Sequence, residues 1–181
     1  GTELLINRKE EAEVYRTIQP LHISEHIIYM NGDTGYKIAE YYEGARNSRA
    51  DDWDDVAKCM ELVQRLHNSG LTVAHEFNIR ERIAFYEGLC AAHGGTRFED
   101  YAEVRGHMNE LMDQLDAMQR PRVLSHIDSV ADNFLFLPDG SVRLIDWEYA
   151  GMCDPLIDLS MCAIYSYYVR PAPGQGSWSG R

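Results

Sequence analysis

The chain has 181 residues, 45% of them hydrophobic, which is enough apolar material for one domain or a small two-lobed unit. Its 29 acidic side chains outnumber 17 basic ones, for a formal net charge of −12; this excludes a nucleic-acid surface, which needs clustered Lys and Arg, and suits a solvated surface or a cationic ligand. Cys59, Cys90, Cys153 and Cys162 form no CxxC or zinc-type pattern, no apolar run reaches membrane-spanning length, and the start has no charged-then-apolar signal pattern, so a cytoplasmic location is expected.

Residues 6–18 are rich in Glu, Lys, Arg and Ala and predict a helix that Pro20 stops. Glu10, Glu11 and Glu13 would solvate such a helix. Residues 27–30 and 36–42 then read as two strands joined by Asn31-Gly32-Asp33-Thr34-Gly35, a hairpin marked by Asn-Gly that runs on into Glu43-Gly44.

From Ala45 the composition turns helical. Asp51 can cap a helix with Val56, Met60, Val63 and Leu66 or His67 at helical spacing, ended by Asn68-Ser69-Gly70, and His67 reads as structural. A second helix is expected over residues 78–92 before Gly94-Gly95, with Tyr86 and Cys90 in the core. The third has the cleanest period: Tyr101, Val104, Met108, Leu111, Leu115 and Met118 share a face, while Glu103, Glu110, Asp113 and Asp116 fall largely elsewhere. It predicts a core helix, too short to require a coiled coil, which Pro121 ends.

Residues 125–151 carry the chemistry. A polar loop with His126, Asp128 and Asn133 leads into an apolar strand (134–137), a Pro138-Asp139-Gly140 turn, and a second strand (142–145) that delivers Asp146. Singly, such residues are turn formers and strand ends. Together, the hairpin folds Asp146 back beside Asn133. That arrangement suits phosphoryl transfer, which needs a carboxylate for the attacking hydroxyl and oxygen ligands for a magnesium ion. Further on, Asp154-Pro155 starts a helix that includes Tyr165, Tyr167 and Tyr168. A tail (171–181) rich in Pro, Gly and Ser reads as flexible. There is no internal repeat, and nothing indicates an oligomeric state.

The pattern His-x-Asp-x-x-x-x-Asn, followed after a hairpin by Ile-Asp-Trp-Glu-Tyr-Ala-Gly, resembles the protein-kinase-like small-molecule phosphotransferases, the choline and aminoglycoside kinases, and most closely the bacterial choline kinase branch. The resemblance implies an α+β, protein-kinase-like fold. Residues 1–44 would be a partial N-terminal lobe and connector, and residues 45–170 a mainly helical C-terminal lobe with the catalytic β-hairpin. It implies transfer of the γ-phosphoryl group of ATP to a small cationic alcohol, choline above all. Ethanolamine, an aminoglycoside, or a catalytically incompetent binding protein remain alternatives.

By the same resemblance Asp128 would meet the acceptor hydroxyl, His126 would brace the loop, and Asn133 and Asp146 would hold Mg2+. Asp158 would steady the loop through hydrogen bonds. Glu11, in Asn-Arg-x-x-Glu text, would pair with a basic strand residue that grips phosphates. That partner and the phosphate-covering loop would lie before Gly1, so the resemblance implies a chain that starts inside the smaller lobe. Glu40, Tyr41 and Tyr42 would form the connector whose backbone meets adenine, or simply end an ordinary hairpin. A quaternary ammonium needs aromatic faces and carboxylates; Tyr165 and Tyr168, then Trp147 and Glu148, are the candidates, with plain core packing as the alternative. One departure stands out: Asp132 occupies a position that is often Gly in the wider family.

Overall fold

A computed structural model describes residues 5–95 and 98–166. Helix α1 (Arg8–Ile18) starts where the Asn7 side chain accepts the Lys9 and Glu10 backbone N–H groups. An Asn at this position offers an acceptor to donors that have no partner within the helix. Pro20 then sits in a 3-10 turn that closes on His22. Strands β1 (Ile27–Asn31) and β2 (Tyr36–Ala39) pair antiparallel. In their turn, Asn31 Oδ1 accepts from the Asp33 and Thr34 amides, and Gly35 takes φ 74°, a conformation open to a residue without Cβ. The second strand is shorter than expected. It ends at Ala39, and residues 40–43 leave the sheet, with Tyr42 reaching back so that its hydroxyl accepts the His26 N–H at 2.9 Å.

Strand β3 (Arg46–Asn47) pairs with β5 (Phe134–Phe136), which pairs in turn with β6 (Val142–Leu144). Strand β4 (Val123–Ser125) pairs with β7 (Gly151–Cys153). Helix α2 (Trp53–His67) is capped by Asp52, one residue later than expected, since either of two adjacent aspartates can serve. Its buried face is Cys59, Leu62, Val63 and Leu66, with Val56 and Met60 at the margin. These meet Val14, Tyr15, Ile18 and Ile23 from the start of the chain, and Leu124, Phe134, Phe136, Leu144 and Trp147 from the hairpin region, in one continuous core. The hairpin is also tied to the N-terminal part by its backbone: the Leu144 N–H donates to the Ile23 carbonyl at 2.7 Å.

Two expectations fail in the helices between. Helix α3 (Ile79–Ala92) forms as predicted, but Tyr86 is exposed and Cys90 half-buried rather than in the core. Helix α4 (Tyr101–Ala117) keeps its apolar face, yet Val104, Leu111, Leu115 and Met118 are 48–62% exposed. The reason lies in how the two helices meet. Arg105 and Tyr101 bind Glu87, and Arg80 binds Asp113 and Asp116, so polar groups make the contact and leave the apolar stripe uncovered. Helix α5 (Leu156–Tyr165) begins at Asp154-Pro155 as expected, with Asp154 Oδ1 accepting the Leu156 N–H. No helix among the described residues is long and apolar enough to cross a membrane.

One buried charge went unforeseen. Asp55, in the first turn of α2, accepts both terminal nitrogens of Arg46 (2.6 and 2.8 Å) and the backbone and Nε of Arg49 (3.1 Å each). Acidic residues in a first turn suit the helix dipole. This one also clamps β3 to α2.

Leu66→Ala should lower stability by about 2–5 kcal/mol, whereas Leu111→Gln should change it by less than about 0.5 kcal/mol; urea unfolding of both variants checks this. Its arginine partners hold the Asp55 carboxyl below the usual range. The stability it contributes is therefore complete above pH ~4, the ordinary carboxylate value, and is lost as acid protonates it. Asp55→Ala should cost about 2 kcal/mol at pH 7 and show a flatter loss of unfolding midpoint as the pH falls below ~4 than the unaltered chain.

Candidate active site

The site is built where β4 ends and the β5–β6 hairpin turns back. His126 is fully buried, and its Nε2 lies 2.9 Å from the Ile145 carbonyl. A carbonyl only accepts, so Nε2 carries the proton. Burial holds the imidazole pKa below its usual value, which favours the neutral ring. The ring meets Trp147 edge to face, with centroids 4.7 Å apart. His126 thus joins the loop to the end of the hairpin and does not reach the solvent side of the site.

The next residue takes a costly conformation. Ile127 has φ 75°, a region that β-branched side chains rarely enter. It is held there by Asp158 of α5, which is fully buried: Oδ1 accepts the Ile127 N–H at 2.7 Å and Oδ2 the His126 N–H at 3.1 Å. His67 Nε2 approaches Oδ2 at 2.8 Å, and the Ser129 hydroxyl donates to the Asp158 carbonyl at 2.7 Å. The expected steadying role of Asp158 is therefore visible atom by atom, and His67 is its second support.

So held, the loop presents Asp128, half-exposed, at its tip. The Asn133 amide nitrogen donates to the Asp128 carbonyl (2.8 Å) and to its Oδ2 (3.0 Å). With its nitrogen committed, Asn133 keeps Oδ1 for another ligand. The Asn133 carbonyl accepts the Ile145 N–H at 2.9 Å, which sets Asp146 beside it. Asp146 has φ 67°, so the chain turns sharply where the carboxylate leaves the strand. A half-exposed pair of oxygen donors from Asn133 and Asp146 fits magnesium, which takes one or two protein oxygens and completes its shell with water and phosphate. Among the described residues no group of three or more His, Cys, Asp and Glu could hold a metal ion by itself. The exposed Asp132 carries its backbone carbonyl to Asn47 Nδ2 at 2.6 Å, pinning the loop to β3.

A cavity of about 400 Å³ adjoins Asp146 and is lined by Glu40, Tyr41 and Tyr42 of the connector together with Glu25, Lys37, Leu135 and Ile145. A larger cavity of about 920 Å³ shares Glu25 and the connector but is lined by none of Asp128, Asn133 and Asp146. Of the two, only the smaller touches this group, through Asp146. Glu11, fully buried in α1, accepts from Arg8 at 2.7 Å and from Lys37 Nζ at 3.1 Å. Neither contact was identified from the sequence. Lys37 also donates to the Tyr15 hydroxyl, which itself donates to Glu25. Burial pushes the Glu25 carboxyl up.

The expected acceptor-pocket residues fare unevenly. Trp147 is fully buried and donates to the Leu144 carbonyl at 2.7 Å, so it is core and offers no face to a ligand. Glu148 is paired with Arg8 at 3.1 Å, and burial raises its carboxyl pKa. Tyr165 is exposed at the end of α5. Tyr168 and the tail lie outside the described residues.

Comparison with known proteins gives a consistent result. The model of a family described as "Phosphotransferase enzyme family" matches residues 10–178. Protein LicA of Haemophilus influenzae is 27% identical over 168 residues, covering 86% of this chain and 47% of that protein. The crystal structure of choline kinase LicA from Streptococcus pneumoniae superposes with a TM-score of 0.83 at 30% identity, covering 93% of this chain and 59% of that one. LicA in complex with AMP gives a TM-score of 0.82 at 30% identity, covering 93% of this chain and 58% of that one. The chain thus spans roughly half the length of the relatives it matches.

Asp158→Ala would leave two buried backbone donors without an acceptor and should cost on the order of 3 kcal/mol. Hydrogen exchange at the Ile127 amide should accelerate with it. A variant within 0.5 kcal/mol of the unaltered chain, with Ile127 still protected, would contradict this account of the loop.

Proposed function

The chain belongs to the phosphotransferase enzyme family and has a protein-kinase-like fold, and from that premise we propose that the protein moves the γ-phosphoryl group of ATP to the hydroxyl of a small cationic alcohol, choline first among them. The observation that carries this is the bonding of Asn133: its amide nitrogen on Asp128 and its carbonyl on Ile145 bring three oxygen-bearing side chains to one end of the hairpin.

In this proposal Asp128 accepts the proton of the acceptor hydroxyl as that oxygen bonds to the γ-phosphorus, while the bond from phosphorus to the departing ADP oxygen breaks. Asn133 and Asp146 hold Mg2+, which when bound neutralises charge on the phosphates. The connector, Glu40, Tyr41 and Tyr42, borders the cavity next to Asp146 and takes the base, with Glu11 orienting cations on the phosphate side. His126 positions the loop from beneath. The choline assignment is supported by the LicA choline kinase from Streptococcus pneumoniae and by the acidic balance of the chain. Tyr165 and Tyr168 remain the aromatic candidates, with Glu148 as a carboxylate. All four cysteines are unpaired, which supports a reducing, cytoplasmic setting.

A coupled assay of ADP release on the full-length protein tests this. Choline should be turned over faster than ethanolamine or an aminoglycoside, and Asp128→Ala should lower kcat by about 10²–10⁴-fold, the usual worth of a general base. Asp146→Ala should do at least as much harm and should abolish the response to added magnesium. Equal rates on choline and ethanolamine would remove the choline assignment. An unaltered protein that shows neither turnover nor a thermal shift with ATP and magnesium would be catalytically incompetent instead.

A further inference from the structure

Glu25 stands where the connector meets the 400 Å³ cavity. Its neighbour His26 is bonded to the connector through both backbone groups: the carbonyl accepts the Glu40 N–H at 2.9 Å, and the N–H donates to the Tyr42 hydroxyl at the same distance. That sets Glu25 beside Glu40, Tyr41 and Tyr42 in the cavity wall. The residue is 7% exposed, and its two carboxylate oxygens differ. Oε1 accepts from the Tyr15 hydroxyl and lies 3.7 Å from Lys37 Nζ. Oε2 is buried and has no hydrogen-bond partner among the described residues. The other two carboxylates of the wall have no such need, because Glu40 is exposed to water and Asp146 is half-exposed. A buried acceptor without a donor costs free energy. The terminal torsion of Glu, which is broad, lets Oε2 turn toward a donor in the cavity.

We propose that Glu25 selects the base of the nucleotide, its Oε2 accepting an N–H from an amino group at the 6-position of a purine. This rests on the phosphotransferase reading and adds to it a side chain that discriminates among purines, apart from the backbone of the connector. An amino group carries two N–H donors, so the connector can hold one and Glu25 the other. A carbonyl in the same place, as in guanine or hypoxanthine, offers only lone pairs. It would meet a carboxylate whose charge Tyr15 and Lys37 favour, and be repelled.

The test is equilibrium binding of three nucleosides to the full-length protein: adenosine, inosine, which has a carbonyl at the 6-position, and purine riboside, which has neither group. None carries a phosphate, so the reading of the base is measured apart from the phosphate side. Adenosine should bind tightest. Glu25→Gln should narrow the preference for adenosine over inosine about ten-fold, the worth of one hydrogen bond to a charged group, and change purine riboside less than about two-fold; an amide can also donate to the inosine carbonyl. In the unaltered protein, N6-methyladenosine, with a single N–H left, should bind about ten-fold more weakly than adenosine, a measurement that stands even where Glu25→Gln fails to fold. A Glu25→Gln protein that melts lower but keeps its ratio of adenosine to inosine affinity would make Glu25 a brace between α1 and the connector and overturn the proposal, as would equal binding of adenosine and N6-methyladenosine. If the unaltered protein binds adenosine and ATP and only these comparisons fail, the phosphotransferase reading survives alone. If it binds neither, both fall.

Discussion

The buried carboxylate of Asp158 is the constraint on which the site depends. A left-handed Ile127 costs backbone energy, and two neighbouring N–H groups at 2.7 and 3.1 Å from one carboxylate are what hold it there. From that point the geometry propagates. His126 is fixed under the hairpin, Asp128 is turned outward, and Asn133 closes the loop onto Asp128 and Ile145. A charge buried this deeply is tolerated because all its contacts are hydrogen bonds from donors, with His67 as a third partner. The arrangement specifies one loop conformation rather than simply adding stability.

The same economy of contacts joins the N-terminal part to the site. Tyr15 and Ile18 of α1 share a core with Trp147, and Ile23 takes a backbone bond from Leu144. The residues that line the cavity are therefore mounted on elements that pack against each other directly. Ionic contacts add a second layer, in which Arg8 and Lys37 both meet Glu11 and Arg8 continues to Glu148. The Lys37 side of the cavity and the segment after Asp146 thus share one chain of charges.

Much of this was legible in the sequence, for definite reasons. The spacing of His126, Asp128 and Asn133, with a turn-marked hairpin before Asp146, encodes a local geometry, and local geometry survives folding. The breaks at Pro20 and Gly94 work in the same way, whereas helices α1 and α3 were expected one or two residues too early, at 6 and 78, because the capping roles of Asn7 and Asn78 were not read. What failed depends on distant partners. The period of α4 reports that one face is apolar, and says nothing of whether anything covers it. Trp147 looked available because an aromatic beside Asp146 reads alike whether it faces ligand or core. Lys37 and Glu11 are 26 positions apart on a strand and a helix, each ordinary in its own element. Asp55 was hidden among acidic neighbours that do solvate their helix.

The dependence on Asp158 also orders events in time. The loop and its brace are separated by 31 residues, with the whole hairpin and β7 between them. During synthesis the chain emerges from its N-terminus, and β5 and β6 can pair before α5 exists. The amides of His126 and Ile127 are then still without their acceptor. The loop is fixed only once the chain has grown past Asp158 and that helix has docked, so an interrupted chain carries the motif without its shape.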